Sequence, residues 1–201
     1  MNEKTCVAYN AMFERAGGFR PGHMVSVFGA GPIGLAAIAL AKAAGASTIA
    51  AFEVSPQRLE LAKAVGADVA HDPREVRAGE VMMELSKGAG FDFHVEAAGM
   101  PELTIPEMET ALAINSKVVQ IGRAAKRVPM YLESFQVRRA QAFGAQGHSG
   151  HETFPNVIRM VASGRIDLSP IITSKYGLED TVAAIAKSTD RTDGKILVKP
   201  Y

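Results

Sequence analysis

The sequence has no tryptophan, a single cysteine and few aromatic residues, which make up 6% of its 201 residues. One thiol, Cys6, excludes an intrachain disulfide framework. The chain also has no basic start followed by an apolar stretch and a small-residue cleavage site, the pattern of a secretion signal. We therefore expect a reducing, cytoplasmic setting, with Cys6 acting as a small buried apolar side chain.

An excess of charge of one sign is also missing, since 22 basic residues face 21 acidic ones and the net charge is +1. This balance provides no broad electrostatic field, so we expect no nucleic acid and no membrane among the partners, and a small molecule instead. Residues 25–41 carry no charge, but glycines and a proline interrupt them. The run therefore predicts a strand followed by a helix rather than a membrane span.

Short apolar stretches alternate with helix-forming stretches along the chain. This alternation predicts parallel strands joined by right-handed crossovers, and hence an α/β Rossmann fold with a doubly wound, six-stranded parallel sheet. We predict strands at residues 25–28, 48–53, 69–70, 91–96, 117–121 and 140–145, and helices at 33–44, 56–65, 76–87 and 101–113. Further helices at 154–163 and 178–187, with strand-like stretches at 171–176 and 195–200, exceed what a compact six-stranded sheet needs.

The helix at 56–65 has clear end signals. Ser55 precedes Pro56, a pair that predicts an N-cap followed by proline at the first helical position. Gly66 stands where the helix would end in a residue of left-handed conformation. The helix at 33–44 is apolar on most sides, which predicts that it is buried against the middle of the sheet.

A glycine-rich turn follows the first predicted strand. Gly29, Gly31 and Gly34 form the pattern Gly-x-Gly-x-x-Gly at the start of a predicted helix. In that context the first glycine makes the tight turn, the second admits a pyrophosphate, and the third lets helix and strand pack closely. The positive end of the helix then faces the anion, so Pro32 and Ile33, which open the helix, belong to the predicted site.

Glu53 ends the next predicted strand, 19 residues after Gly34. A carboxylate there can accept hydrogen bonds from the ribose hydroxyls and would repel a 2′-phosphate, which favours NAD over NADP. Arg58, in the first turn of the following helix, is the nearby group that could reverse this preference. Methyltransferases that bind S-adenosylmethionine share a glycine-rich turn and an acid after the second strand, but they lack the Gly-Pro-Ile-Gly form seen here.

Residues 22–73, GHMVSVFGAGPIGLAAIALAKAAGASTIAAFEVSPQRLELAKAVGADVAHDP, resemble the cofactor domain of the zinc-dependent medium-chain dehydrogenases, the alcohol and polyol dehydrogenase superfamily. The similarity continues through GFDFHVEAAG at 90–99, KVVQIG at 117–122 and DGKILVKP at 193–200, so it covers essentially the whole chain. CVAYNAMFERAGGFRPG at 6–22 and FQVRRAQAFGAQGHSGHETFP at 135–155 are most similar to the branch that acts on cyclitols, such as scyllo-inosose.

This resemblance implies hydride transfer from a secondary alcohol to NAD, with zinc polarising the alcohol oxygen in the complete enzyme. It also implies three parts: a connecting helix at 1–24, an NAD-binding domain at 25–150, and a C-terminal segment of the catalytic domain at 151–201. The GroES-like catalytic domain, which supplies most zinc ligands in the family, has no counterpart in the sequence. We therefore expect that domain to be absent and the last fifty residues to expose apolar surface.

Individual residues are assigned by the same resemblance. Glu3 occupies the position where the family commonly places a residue beside the catalytic zinc, although a catalytic site needs three protein ligands. Lys195, at the start of the last strand, is expected either to reach the cofactor pyrophosphate or to be an exposed lysine at a strand edge. His148 and His151 are three residues apart in a glycine-containing loop; metal ligation and a role near nicotinamide or substrate are both open for them. Family dimers pair through an edge strand of this domain, so we predict a homodimer joined near residues 128–132.

Two functions remain open at this point. The chain is either the NAD-binding portion of a zinc-dependent polyol or cyclitol dehydrogenase, or a nucleotide-binding and dimerisation module without catalysis of its own. The missing zinc ligands favour the second function for the isolated chain.

Overall fold

The computed structural model describes residues 2–148 and 150–200, with eight helices and eight strands. The strands are β1 (Met24–Phe28), β2 (Thr48–Phe52), β3 (Val69–His71), β4 (Phe91–Glu96), β5 (Leu112–Gln120), β6 (Gln141–Gly144), β7 (Ile172–Gly177) and β8 (Lys195–Lys199). The helices are α1 (Asn2–Tyr9), α2 (Pro32–Ala43), α3 (Pro56–Val65), α4 (Ala78–Leu85), α5 (Pro101–Thr110), α6 (Leu132–Arg138), α7 (Thr153–Ala162) and α8 (Thr181–Ser188). A π-helical turn, Asn10–Arg15, continues α1.

The main sheet has six strands in the order β3-β2-β1-β4-β5-β6, and every neighbouring pair is parallel. This order confirms the predicted doubly wound α/β fold. Because all six strands run the same way, their carboxyl ends lie at one edge of the sheet. The strand order reverses between β1 and β4, and a crevice at such a switch point is where open α/β sheets bind ligands.

Two apolar cores cover the faces of the sheet. On one face α2 is buried from Gly34 to Ala41, and α1 packs on it from outside, which confirms the prediction of a helix buried on most sides. On the other face α4, α5 and α6 pack around Phe28, Phe52 and Phe91. The glycine-rich turn at residues 29–34 therefore joins two elements, β1 and α2, that are packed into these cores.

The C-terminal segment is joined to the first core. Ile166, Leu168 and Ile171 are buried in it, and α7 packs on α1. Beyond this contact β7 and β8 form a separate two-stranded parallel sheet. Val182 of α8 is 80% exposed and Ile185 is 63% exposed, so the expected apolar surface in the last fifty residues is present.

The bounds of two elements were predicted wrongly. The helix predicted to reach residue 113 ends at Thr110, and β5 begins at Leu112 rather than at 117, because Leu112 pairs with Phe91 of β4. Ser55 and Pro56 occupy the N-cap and the first position of α3, as predicted, although the Ser55 hydroxyl donates to Gln57 Oε1 at 3.1 Å rather than to the helix; Gly66 ends α3 with φ at 124°. Residues 121–131, which include most of the predicted dimer contact, are irregular, and the dimer stays a prediction.

A buried histidine joins β1 to β4, and its burial predicts that the fold loses stability in acid. His94 is fully buried; its Nε2–H donates to the Phe91 carbonyl at 3.1 Å, so its Nδ1 accepts the Ser26 hydroxyl at 2.8 Å. Burial lowers the pKa of His94 to about 4 from its ordinary value of 6.5, against the smaller opposing effect of the Phe91 carbonyl. The folded chain therefore binds a second ring proton on His94 less readily than the unfolded chain does.

We expect the contribution of His94 to the free energy of unfolding to be complete above pH 6.5 and to fall as the pH drops toward 4, by about 3 kcal/mol in all. Urea unfolding of the wild type and of His94→Gln at several pH values between 7 and 4 measures this effect. The variant should show a shallower pH dependence, because its amide has no proton to gain. Equal slopes in the two proteins would contradict the assignment.

Candidate cofactor site

The turn between β1 and α2 needs two of its glycines for packing alone. Gly29 has φ at 90°, and a Cβ there would lie 2.7 Å from the backbone nitrogen of Ala98. A Cβ on Gly34 would overlap the carbonyl oxygen of Gly29. These two positions therefore require glycine whether or not a ligand binds.

Gly31 is different because nothing in the chain demands a glycine at that position. Its φ of −69° is ordinary, and the nearest atom to a Cβ there would be Arg58 Nη1, at 3.9 Å. The space above Gly31 opens into a cleft rather than into protein. Such a cradle, which a side chain would fill, is the arrangement that lets a phosphate approach the backbone.

The first turn of α2 follows Gly31 directly, although Pro32, Ile33 and Gly34 of the predicted site are not among the described residues that line the cleft. Pro32 has no N–H, and Leu35 already donates to the carbonyl of Gly31 at 2.9 Å. The N–H groups of Ile33 and Gly34 remain as the unsatisfied donors of this helix end. They stand at the positive end of a 12-residue helix, where an anion is stabilised.

Glu53 follows β2 and braces this turn. Its Oε2 accepts the N–H of Ala30 at 2.7 Å, and its Oε1 accepts those of Val54 and Ser55 at 2.9 and 3.0 Å. A carboxylate offers about four acceptor sites, so one lone pair on Oε2 remains for a ligand. The predicted ribose acceptor therefore lies in the cleft and also holds the glycine turn against the end of β2.

The cleft has a volume of about 730 Å³, within the range of small-molecule sites. It lies at the carboxyl ends of β1 and β2, beside the turn that follows β4, and so at the switch point of the sheet. It brings together Gly29, Gly31, Glu53 and Arg58 from the predicted site. The residues that sequence reasoning missed include Arg74, Ala97, Ala98 and Arg191.

Arg58 projects from α3 toward Gly31. Its Nε donates to the backbone carbonyl of Asp193 at 3.0 Å, so it also holds the C-terminal segment. Burial lowers the pKa of Arg58, and the nearby Glu53 carboxylate opposes that shift. Arg74, which donates to the Val54 carbonyl at 2.7 Å, adds another cation at the same rim. No local pattern identifies Arg74 or Arg191, since each comes from a loop distant in sequence from the glycine turn.

Glu96 is a further residue that sequence reasoning missed. It ends β4, is fully buried, and accepts the N–H of Gly99 at 3.0 Å and the amide of Gln120 at 2.8 Å. Burial raises the pKa of Glu96, while its hydrogen bonds lower it. The carboxylate braces the turn that forms one wall of the cleft. The sequence signal for Glu96 was an acidic residue at the end of an apolar strand, directly before Ala-Ala-Gly.

Lys195 is half-buried at the start of β8, with Ile172 opposite it on β7. Within the part of the chain that the structure describes, the C-terminal residues that line the cleft are Asp190, Arg191 and Thr192 instead. The structure thus separates Lys195 from the glycine turn that it was predicted to assist. A contact between Lys195 and the pyrophosphate stays a prediction.

Glu3 is exposed on α1 and forms an ion pair with Lys4 at 3.2 Å. Across residues 2–148 and 150–200, no group of three or more His, Cys, Asp or Glu side chains is placed to hold a metal ion. His148 and His151 line a second pocket, of about 410 Å³, after β6. Cys6 is buried, as predicted. The described residues of this chain therefore do not form a catalytic zinc site.

Among the helices described, none is long and apolar enough to cross a membrane. This agrees with the interpretation of residues 25–41 as a strand and a helix, β1 and α2.

Comparison with known proteins supports the resemblance seen in the sequence. The model of the zinc-binding dehydrogenase family matches residues 32–163. The chain is 43% identical over 199 residues to scyllo-inosose 3-dehydrogenase of Thermotoga maritima, covering 96% of this chain and 50% of that protein. It is 34% identical over 192 residues to an alcohol dehydrogenase of Cupriavidus necator, covering 90% and 50%.

Solved structures agree with this assignment. A putative alcohol dehydrogenase from Thermotoga maritima superposes with a TM-score of 0.94 at 42% identity, covering 98% of this chain and 51% of that one. The 2R,3R-butanediol dehydrogenase from Bacillus subtilis gives 0.87 at 28% identity, covering 99% and 56%. The chain spans about half the length of the curated relatives it matches. It belongs to the zinc-binding dehydrogenase family.

Proposed function

We propose that this chain is the NAD-binding part of a zinc-dependent alcohol or polyol dehydrogenase that oxidises a secondary alcohol of the cyclitol type. The observation that carries the proposal is the open space at Gly31, beside the free N–H groups of α2 and next to Glu53. The names of the similar proteins support the substrate class, since one acts on scyllo-inosose.

The residues of the cleft fit a dinucleotide. Ile33 and Gly34 would donate their N–H groups to the diphosphate, and Glu53 would accept a ribose hydroxyl through its remaining lone pair. NAD, when bound, supplies the nicotinamide ring that accepts a hydride. The fixed sheet edge and the turn braced by Glu53 and Glu96 hold the dinucleotide in one position and exclude water from it.

Glu53 also supports NAD over NADP. A 2′-phosphate would meet a carboxylate that is 8% exposed and therefore weakly screened by solvent. Arg58 and Arg74 lie at the rim of the same cleft and reduce this repulsion. We therefore propose a preference for NAD of moderate size rather than complete discrimination.

Binding of zinc and of the polyol needs more than the described residues of this chain, which form no metal-binding cluster. In the proposal both are bound by further residues of a longer protein, and Glu3 contributes one carboxylate to the zinc site. The absence of a metal-binding cluster among the described residues equally suits the second candidate, a nucleotide-binding module without catalysis. The one buried cysteine is in keeping with a cytoplasmic setting, which we include in the proposal.

A homodimer is part of the same proposal. Tyr131, Leu132 and Val137 expose large apolar side chains at 60, 73 and 66%, on and beside α6. They lie at and next to the predicted contact at residues 128–132. An isologous contact between two copies would cover this surface.

Titration of the 201-residue chain with NADH and NADPH tests the proposal. We expect NADH to bind, with NADPH about tenfold weaker because of the Glu53 charge. The Glu53→Gln variant should narrow that ratio, because it removes the charge; it should also weaken both nucleotides, because its NH2 group cannot accept the backbone N–H that one Glu53 oxygen accepts. Absence of NADH binding would overturn the proposal, and equal affinity of the wild type for both nucleotides would overturn the preference for NAD.

The same protein, mixed with zinc, NAD and a cyclitol, distinguishes the two candidate functions of the chain. Binding without turnover is expected for the isolated chain, since its described residues do not form a metal site. Turnover would show that this polypeptide is itself an enzyme.

A further inference from the structure

A loop of the C-terminal segment forms one wall of the cofactor cleft. Residues 189–194 connect α8 to β8, and Asp190, Arg191 and Thr192 of this loop line the cleft together with Gly31 and Arg58. The loop comes from the part of the chain that the sequence assigns to another domain. Its presence in the cleft follows from packing alone.

The loop is held in position from three directions. Asp193 Oδ1 accepts the hydroxyls of Thr173 and Ser174, both at 2.6 Å, and these bonds lower the pKa of Asp193. The Asp193 carbonyl accepts Arg58 Nε at 3.0 Å. Gly194 has no room for a side chain, since a Cβ there would lie 2.6 Å from the carbonyl oxygen of Ile171. Arg191 is therefore presented to the cleft by an anchored loop.

Two guanidinium groups lie close together in this wall. Burial is the largest cause of the lowered pKa of Arg58; the Glu53 carboxylate opposes that shift, and the neighbouring charge of Arg191 adds to it. Among the described residues, neither guanidinium lies within 4.0 Å of a carboxylate oxygen. Arg191 also has φ at 54°, a left-handed conformation that is uncommon for a residue with a side chain. Two neighbouring cations without a carboxylate partner are stabilised when an anion binds between them.

We propose that Arg191 binds the diphosphate of the dinucleotide, beside Arg58 and opposite the free N–H groups of α2. Arg58 indicates where the diphosphate would lie, because its Nη1 would be 3.9 Å from a Cβ on Gly31. A guanidinium group binds two phosphate oxygens in its plane, which suits a diphosphate held against a helix end. The inference rests on the proposed function and adds a residue and a loop to it.

Lys199 provides the matched comparison. It is also a cation of the C-terminal segment, exposed at the end of β8, but it is not among the described residues that line the cleft. If general positive charge in this segment attracts the nucleotide, Arg191→Gln and Lys199→Gln will weaken binding alike. If direct contact with the diphosphate matters, Arg191→Gln will weaken it and Lys199→Gln will not.

The experiment is titration of the wild type and both variants with ADP and with adenosine, followed by NMR. We expect Arg191→Gln to weaken ADP about tenfold or more, as for loss of one charge-assisted hydrogen bond, and to change adenosine less than about twofold. Lys199→Gln should change the affinity for ADP less than about twofold. The melting temperature of each variant should stay near that of the wild type.

Three results would overturn the inference. They are unchanged ADP affinity in Arg191→Gln, an equal loss of affinity for ADP and adenosine in that variant, and an equal loss of ADP affinity in Lys199→Gln. If the wild type binds NADH but one of these results is found, the proposed function stands and the role of Arg191 fails. If the wild type binds neither NADH nor ADP, the proposed function fails as well.

Discussion

Gly31→Val is expected to remove dinucleotide binding while leaving the fold unchanged. The backbone at Gly31 has an ordinary φ, and a Cβ there would make one contact, at 3.9 Å with the flexible end of Arg58. The valine side chain would fill the space in which the diphosphate approaches the N–H groups of Ile33 and Gly34. We expect the affinity for ADP and NADH to fall about 100-fold or more, since both the close approach and the hydrogen bonds are lost.

Titration with ADP, together with thermal unfolding, checks this result. Gly144→Val is the matched control, because Gly144 at the end of β6 has room for a side chain, with no described atom within 4 Å of a Cβ, and is not among the residues that line the cleft. The control should bind ADP as the wild type does. A Gly31→Val protein that retains wild-type affinity would contradict the phosphate-binding role of the turn.

Gly34→Ala, three residues further along, is expected to have the opposite consequence and prevent stable folding. A Cβ on Gly34 would overlap the carbonyl oxygen of Gly29, which is backbone and cannot move aside. The alternative is a shift of α2, but that helix is buried from Gly34 to Ala41. Overpacking of this kind in a closely packed core should lower the free energy of unfolding by about 4 kcal/mol or more.

Soluble yield and urea unfolding measure the effect of Gly34→Ala. Gly31→Ala is its control, since it makes the same chemical change in the same turn at a position with space for a methyl group. That control should change the free energy of unfolding by less than about 1 kcal/mol. Equal stability of the two variants would show that the close approach of α2 to β1 does not require glycine.

The pattern Gly-x-Gly-x-x-Gly predicted a different role for each glycine: a tight turn at Gly29, room for a pyrophosphate at Gly31 and close packing at Gly34. The structure agrees for Gly29 and Gly34, because a Cβ at either position would overlap the backbone. At Gly31 it leaves open space, and the pyrophosphate there stays a prediction that Gly31→Val tests.

Local sequence correctly predicted the elements that are formed by contacts between residues close together in the chain. The strand, turn and helix from Met24 to Ala43 were predicted correctly, as was the placement of Glu53 at the end of β2. The start of β5 was not, because residues 112–116 pair with β4, across a connection that local propensity does not describe. Ser55 occupies the predicted N-cap position of α3, but its hydroxyl bonds to Gln57 rather than to the helix.

The family and the fold of this chain follow from its sequence alone. Periodic apolar residues and the glycine turn are local features, and they determine strands, helices and a candidate phosphate site at a helix end without reference to distant residues. The wall of the cleft was decided by tertiary structure. Arg74, Glu96 and Arg191 lie far from the glycine turn in sequence, and they meet it because the parallel sheet places all its carboxyl ends at one edge, where the anchored C-terminal loop also packs.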